Sequence, residues 1–177
     1  MRKKRYVIVA LLLACGGVTV PAWAQEATDI TIRGRVTPGT CSLSADSVDQ
    51  TVALDNVNAG DLAAANGPVA GSRKPFRVLA ENCAASLSTV SFSFQGATVG
   101  TPGHVLVNTG AATSVGIEMR LDDGSDAVIA PNTGQYDVAI DSRRAELRAT
   151  ATYYRLPGEP IRGGSVQARA TVVATFR

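Results

Sequence analysis

The sequence predicts an all-β fold, an immunoglobulin-like β-sandwich. Short runs of alternating apolar and polar residues recur between clusters of Gly, Pro, Asn and Asp, and helical periodicity is almost absent after the first 24 residues. About seven such runs with turn signals between them are typical of a sandwich. The predicted strands are residues 50–57, 74–83, 89–96, 114–123, 135–141, 145–155 and 165–177.

The N-terminal residues predict a signal peptide over residues 1–24. A basic start (MRKKR) precedes an apolar run (YVIVALLLA), and Ala22-Trp23-Ala24 gives the small-x-small pattern of a cleavage site. The apolar run is too short to span a membrane. An alternative is a lipoprotein box ending at Cys15, but the better-formed AWA site favours a mature chain that begins at Gln25.

Cleavage would change the charge of the protein. The signal peptide carries four of the 17 basic residues, so 13 remain against 15 acidic ones and the net charge becomes negative. No cluster of Lys and Arg with interleaved aromatic residues remains, so we expect no nucleic-acid partner.

The mature chain opens with a half-apolar strand, ATDITIRGRV. Ile30, Ile32, Gly34 and Val36 fall on one face and polar side chains on the other. Taken alone, this pattern fits an ordinary first strand of the chain's own domain, although strands at chain ends are usually weakly held.

Two cysteines remain after cleavage, Cys41 and Cys83. In an exported protein an even pair predicts a disulfide. Closing a loop of about 42 residues would stabilise the fold by roughly 4 kcal/mol on the chain-entropy model. Zinc is a poor alternative, because the thiols lack CxxC spacing and His104 is the one histidine.

The connections are read from their turn residues. Residues 121–128 and 156–164 each predict a hairpin turn. The Ala run in residues 58–72 permits a helical turn, but three Gly and a Pro favour a loop. Tyr153 and Tyr154 would place one ring on each face of the sheet.

The chain gives no sign of catalysis, and we expect no enzyme activity, cofactor or metal. There is no GxSxG motif, and His104 lies in a Pro-Gly-flanked loop without an evident base partner. Asp122, Asp123 and Asp126 lack the alternation of a calcium loop and predict a solvated hairpin tip. Arg143 is interpreted as a loop charge.

The C-terminal run alternates to the last residue. Its apolar face carries mostly small side chains, which leave room that another strand could fill. The residues of this face are Val166, Ala168, Ala170, Val172, Ala174 and Phe176.

An ordered set of motifs resembles the type 1-like fimbrial subunits of the chaperone–usher class. The set comprises the extension DITIRGRV, GTCSLSADSVDQTVAL around the first cysteine, KPFRVLAENC at the second, and a C-terminal strand. In that strand Gly164 lies fourteen residues from the end, and the penultimate residue is Phe176, where the family more often has Tyr.

The resemblance implies a sandwich that lacks one strand, so that each subunit accepts a donor strand from its neighbour. Residues 25–37 would be the donor-strand extension, with Ile30, Ile32, Gly34 and Val36 facing the neighbour's groove, and residues 38–177 the pilin domain. The acceptor groove, which also contacts the chaperone, would be lined by Gly164, Val166, Ala168, Ala170, Val172, Ala174 and Phe176.

The resemblance also implies partners and a destination. The partners would be neighbouring pilin subunits, a periplasmic chaperone and an outer-membrane usher, and the chain would pass through the periplasm into a fimbrium on the bacterial surface. The function would be that of a structural subunit that polymerises by donor-strand exchange and supports adhesion, as a major shaft or minor adaptor subunit. The alternative is a free-standing periplasmic or surface-anchored immunoglobulin-like binding module.

Overall fold

The fold is built from antiparallel strands in two sheets. The computed structural model describes residues 39–158 and 160–177. Its helices are a 3-10 turn at Ala45–Ser47 and one α-helix, α1 (Ala59–Ala64). Its strands are β1 (Ser42–Leu43), β2 (Lys74–Glu81), β3 (Thr89–Gln95), β4 (Leu106–Val107), β5 (Val115–Leu121), β6 (Gln135–Ala139), β7 (Ala145–Arg155) and β8 (Thr171–Phe176).

The two sheets differ in width. The larger has the order β1-β2-β7-β5-β4, and the smaller has the order β6-β3-β8. Strand β7 is central, pairing with β2 from Lys74↔Ala151 onwards and with β5 from Val115↔Arg155 onwards. Among the described strands, β8 pairs with β3 alone, so it lies at the edge of the smaller sheet. The all-β prediction is confirmed.

The core lies between the sheets and follows from the alternation of each strand. Val78 and Leu147 project into it from the larger sheet, and Phe92 and Phe94 project from the smaller sheet, all at most 3% exposed. Each such side chain contributes about 1.5–3 kcal/mol through removal from water.

The disulfide between Cys41 and Cys83 is present, as predicted. It joins the residue before β1 to a residue just after β2, where Ser42 pairs with Glu81. The bond therefore secures the short two-residue β1 to its neighbour.

The prediction of a strand at residues 50–57 is wrong. The alternation is real, since Val52 and Leu54 are partly buried against the core while Thr51 and Ala53 are exposed. However, none of these residues has a backbone hydrogen bond to the described part of the chain. An alternating pattern buries one face, but a strand also requires a partner for its ladder.

The prediction of a hairpin at residues 156–164 is also wrong. Strands β7 and β8 belong to different sheets, so the connection crosses the sandwich. The long strand predicted at residues 165–177 is shortened for the same reason. Only Thr171–Phe176 pairs with a strand, β3.

The structure also shows the conformation of the two connections at residues 121–128 and 58–72. Leu121 N donates to Ala127 O at 2.9 Å, which confirms the turn predicted over residues 121–128. Residues 58–72 contain α1 where a loop was favoured, because the Asn58 side chain accepts from Asp61 N at 2.9 Å and caps the helix. Leu62 of this helix is buried and anchors it to the core.

A buried serine repairs a break in the pairing of β2 with β7. Val69 N donates to Tyr153 O at 2.8 Å, and the regular pairing of β2 with β7 begins only at Lys74. Residues 70–73 therefore lie outside the ladder. The Ser72 hydroxyl donates to Val69 O at 2.9 Å, accepts from Tyr153 N at 3.2 Å and lies 2.7 Å from Thr152 Oγ1. Its loss would leave buried polar groups without partners.

Candidate functional site

Within the described residues, strand β8 forms hydrogen bonds along only one of its two edges. Arg177 and Thr89 exchange both backbone hydrogen bonds, at 2.9 and 3.0 Å. In an antiparallel ladder the N–H and C=O of a residue point to the same side, and successive residues alternate sides. The odd-numbered residues of β8 therefore point to β3, and the even-numbered residues point away from it.

The same alternation continues upstream of β8. Ser165 O accepts from Ala112 N at 3.0 Å, and Gln167 O accepts from Thr109 N at 2.8 Å. Gln167 N donates to Asn108 Oδ1 at 2.8 Å. The two residues that bond here, Ser165 and Gln167, are again odd-numbered, and their partners lie in the segment that follows β4.

The even-numbered residues leave a continuous unpaired edge. None of them has a backbone hydrogen bond to another residue within 39–158 and 160–177. The edge runs from residue 166 to residue 176, a stretch of eleven residues and about 36 Å at roughly 3.3 Å per residue, and every second residue of this stretch contributes to it. We call it the free edge, and its residues are Val166, Ala168, Ala170, Val172, Ala174 and Phe176.

The side chains of the free edge face the core without being covered. Five of the six pack against the core while remaining partly exposed, and Ala170 is exposed. On β3, by contrast, Val90, Phe92 and Phe94 are at most 1% exposed. The core is therefore closed at β3 and partly open at β8, where the small Ala168 and Ala174 limit the cover.

Residues 50–57 form a second unpaired stretch on the same core. Val52, Leu54 and Val57 are partly buried against it, like the free edge. Asp55 tethers the stretch by a 3.1 Å ion pair with Lys74 at the start of β2. The pattern that predicted a strand here therefore indicates a segment with an apolar face whose backbone bonds to none of the described residues.

Gly164 lies at a close approach between backbones. A Cβ at this position would lie 2.6 Å from Ala112 N and 2.8 Å from Ala111 C, so any side chain would force the segments apart. This contact within the subunit is sufficient to explain why residue 164 is a glycine. A role for Gly164 toward a chaperone stays a prediction.

The predicted donor residues Ile30, Ile32, Gly34 and Val36 lie outside the described residues. The same holds for the signal peptide and its cleavage site. The free edge is therefore the part of the predicted exchange apparatus that the structure describes.

A polar network lies away from the core, on the larger sheet. Glu118, at 1% exposure, binds His104 Nε2 through Oε2 at 2.9 Å and Arg120 Nε through Oε1 at 2.6 Å. Arg120 continues to Asp126 at 3.2 Å, and Asp126 pairs with Arg73 at 2.7 Å. His104 also meets the ring of Tyr154 edge-on, with centroids 5.7 Å apart.

The network gives charged partners to two residues for which the sequence predicted none, His104 and Asp126. The hydrogen bond from Arg73 holds the pKa of Asp126 below its ordinary value, and the hydrogen bond to Glu118 raises the pKa of Arg120. Both arginines contact the Asp126 carboxylate, so this side chain ties the hairpin to the sheet instead of being merely solvated. Tyr153 is buried and Tyr154 partly exposed, as the alternation predicts.

Glu118 and Asn108 were not predicted to have a role. A glutamate in an alternating strand reads as solvent-facing, and nothing in the local pattern marks it as buried. Within residues 39–158 and 160–177, no group of three or more His, Cys, Asp and Glu is arranged to hold a metal. None of the described helices is long and apolar enough to cross a membrane.

The chain is similar to known fimbrial proteins. The family model for "Fimbrial protein" matches residues 30–177. The chain is 29% identical over 157 residues to the probable major fimbrial subunit LpfA of Escherichia coli O157:H7, covering 86% of this chain and 85% of that one. It is 32% identical over 141 residues to the minor fimbrial subunit HifD of Haemophilus influenzae, covering 70% and 62%.

Solved structures agree at the level of the fold. The P pilus rod subunit PapA superposes with a TM-score of 0.64 at 19% identity, covering 77% of this chain and 99% of that one. The subunit of a chaperone–usher pilus superposes with a TM-score of 0.66, also at 19% identity, covering 89% and 100%. On the match over residues 30–177, the chain belongs to the fimbrial protein family.

Proposed function

We propose that the chain polymerises by donor-strand exchange, with residues 25–37 as the donor and the free edge as the acceptor. The chain is a structural subunit of a fimbrium, as its family and its major and minor fimbrial relatives indicate. The observation that carries the proposal is the free edge, whose backbone has no partner in the described chain and whose side chains only partly cover the core.

The extension and the free edge match in length and chemistry. The run ATDITIRGRV spans ten residues, and the free edge spans eleven, so an extended donor would pair along nearly all of it. The donor presents Ile30, Ile32 and Val36 on one face, toward the partly open core. Gly34 would lie where the groove approaches the donor backbone too closely for a side chain.

Burial of the donor side chains would favour such an exchange. Burying Ile30, Ile32 and Val36 contributes on the order of 5–9 kcal/mol, as an upper value before ordering costs. The backbone ladder would add to this and would satisfy an edge that otherwise promotes aggregation.

The free edge would need to be covered before the subunit is assembled into a fibre. A long unpaired edge beside an open core invites association with other chains. We propose that a periplasmic chaperone covers it and that an outer-membrane usher exchanges the chaperone for the donor of the next subunit. The signal peptide and the disulfide support a route through the periplasm to a surface fimbrium.

A self-complemented chain tests the proposal. We define it as the mature chain with a second copy of residues 26–37 placed after Arg177. We expect the mature chain alone to aggregate or polymerise in size-exclusion chromatography, and the self-complemented chain to run as a monomer with a melting temperature at least 10 °C higher.

The matched controls alter only the appended copy. Gly34→Leu in that copy should abolish the gain, because the side chain blocks close approach, whereas Arg33→Leu on the opposite face should keep it. A mature chain that is a stable monomer by itself, with no gain from the appended copy, would favour the binding-module alternative.

A further inference from the structure

The hydrogen bonds that the described residues make to the segment preceding β8 all lie on one side of it. Residues 162–170 lead into β8 but belong to no sheet. We call them the lead segment. Their described backbone partners lie in residues 108–113, which we call the template. The opposite side of the lead segment is the upstream half of the free edge.

One side chain, that of Asn108, both shapes the template and binds the lead segment. Its Oδ1 accepts from Gly110 N and from Gln167 N, each at 2.8 Å. Its Nδ2 donates to Ala112 O at 2.7 Å. All of these contacts are internal to the chain, and Asn108 is partly buried.

The contact is close enough to require glycine on both sides. A Cβ on Gly110 would overlap Ser165 O, and a Cβ on Gly164 would lie 2.6 Å from Ala112 N. Thr113 adds a bond at the start of the lead segment, since its hydroxyl accepts from Arg162 N at 3.0 Å. The two backbones therefore dock directly on each other.

Docking of Gln167 fixes the direction of its neighbours. Successive residues of an extended chain point their N–H and C=O groups to opposite sides. When Gln167 is bonded to the template, the backbone groups of Val166 and Ala168 therefore point away from it, where a donor strand can pair with them. Without the template, the lead segment would have to order itself while the donor binds, and such ordering slows association.

We propose that Asn108 is a positioning residue for donor capture: it holds the lead segment extended so that Val166 and Ala168 meet an incoming strand in register. This inference rests on the proposed donor-strand function. Asn108 would then affect the rate at which subunits assemble as well as the stability of each subunit.

The test is the association rate of a synthetic peptide with the sequence of residues 26–37. The peptide is fluorescently labelled and mixed with the mature chain at nanomolar concentration, and binding is followed by anisotropy. We expect Asn108→Ala to slow association at least tenfold. We expect Asn108→Asp to associate faster than Asn108→Ala, because its carboxylate still accepts from Gly110 N and Gln167 N although it can no longer donate to Ala112 O.

A destabilised variant far from the free edge separates rate from stability. Ser72→Ala removes the buried hydroxyl between β2 and β7, so it should lower the melting temperature and leave the association rate within twofold. The inference is overturned if Asn108→Ala binds as fast as the wild type, if Asn108→Asp is as slow as Asn108→Ala, or if Ser72→Ala is equally slow. A peptide that binds none of the chains, wild type included, overturns the donor-strand proposal and this inference with it.

Discussion

Individual side chains hold together parts of the molecule that lie far apart in the sequence. Asn108 joins the segment after β4 to Gln167, and Arg143 donates from Nε to Cys83 O at 3.0 Å while its own carbonyl accepts from Cys83 N. In the sequence both read as ordinary loop residues. Their roles depend on which strands are neighbours, and local patterns carry no such information.

Arg143 also shows why its turn could not be predicted. Ser142 and Arg143 both adopt positive φ, at 48° and 65°, in a two-residue turn closed by reciprocal bonds between Asp141 and Arg144. Such turns favour Asn-Gly, because other residues are strained there. The contact of Arg143 with Cys83 compensates for that strain, so the turn depends on tertiary structure.

At the residue scale, the ion pairs of Asp126 predict an acid dependence of stability. Its pKa is lowered in the folded state from the ordinary 3.8, so its contribution is complete above pH 3.8 and is lost as the pH falls through the folded value. We expect Asp126→Asn to lower the melting temperature of the self-complemented chain at pH 6 and to differ less from the wild type below pH 3.

The control for this prediction is Asp46→Asn, since Asp46 makes no ion pair with the described residues. It should leave the melting temperature nearly unchanged throughout the range. A gap between Asp126→Asn and the wild type that stays constant or widens toward low pH would contradict the linkage.

At the scale of elements, the sequence predicted strands well where both edges are paired. Strand β7 spans residues 145–155 as predicted, because its neighbours β2 and β5 satisfy its whole length. Residues 50–57 and 165–170 have the same alternation but no neighbouring strand in the described chain. Hydrophobic alternation predicts which face is buried, and it does not predict whether a ladder partner exists.

Proline substitutions distinguish the two edges of β8. The N–H of Ala174 points to the free edge, whereas the N–H of Val173 bonds to β3 opposite Ser93. Ala174→Pro should therefore leave the fold of the subunit intact and weaken binding of the peptide of residues 26–37 at least tenfold, because one ladder bond is lost and the ring crowds the donor.

Val173→Pro is the matched control. It removes a bond within the smaller sheet, so it should lower the melting temperature of the self-complemented chain by more than Ala174→Pro does. Equal peptide affinity for Ala174→Pro and the wild type would show that no strand pairs along this edge.

In the molecule as a whole, the described residues form a sandwich whose smaller sheet ends in an edge that bonds to none of them. The sequence predicted the class, the disulfide and the face of the C-terminal strand. It did not predict that this run bonds first to the template, outside both sheets, and then pairs with β3 of the smaller sheet. That path depends on the close approaches at Gly110 and Gly164, which appear only once the strands are assembled.

The decisive measurement is residue-resolved amide hydrogen exchange by mass spectrometry, with and without the peptide of residues 26–37, on the mature chain diluted to nanomolar concentration so that it does not polymerise. We predict that Thr171, Val173 and Thr175 are protected in both states, while Val172, Ala174 and Phe176 exchange rapidly alone and become protected when the peptide binds. Protection of Val172, Ala174 and Phe176 in the monomeric chain without the peptide would contradict the account.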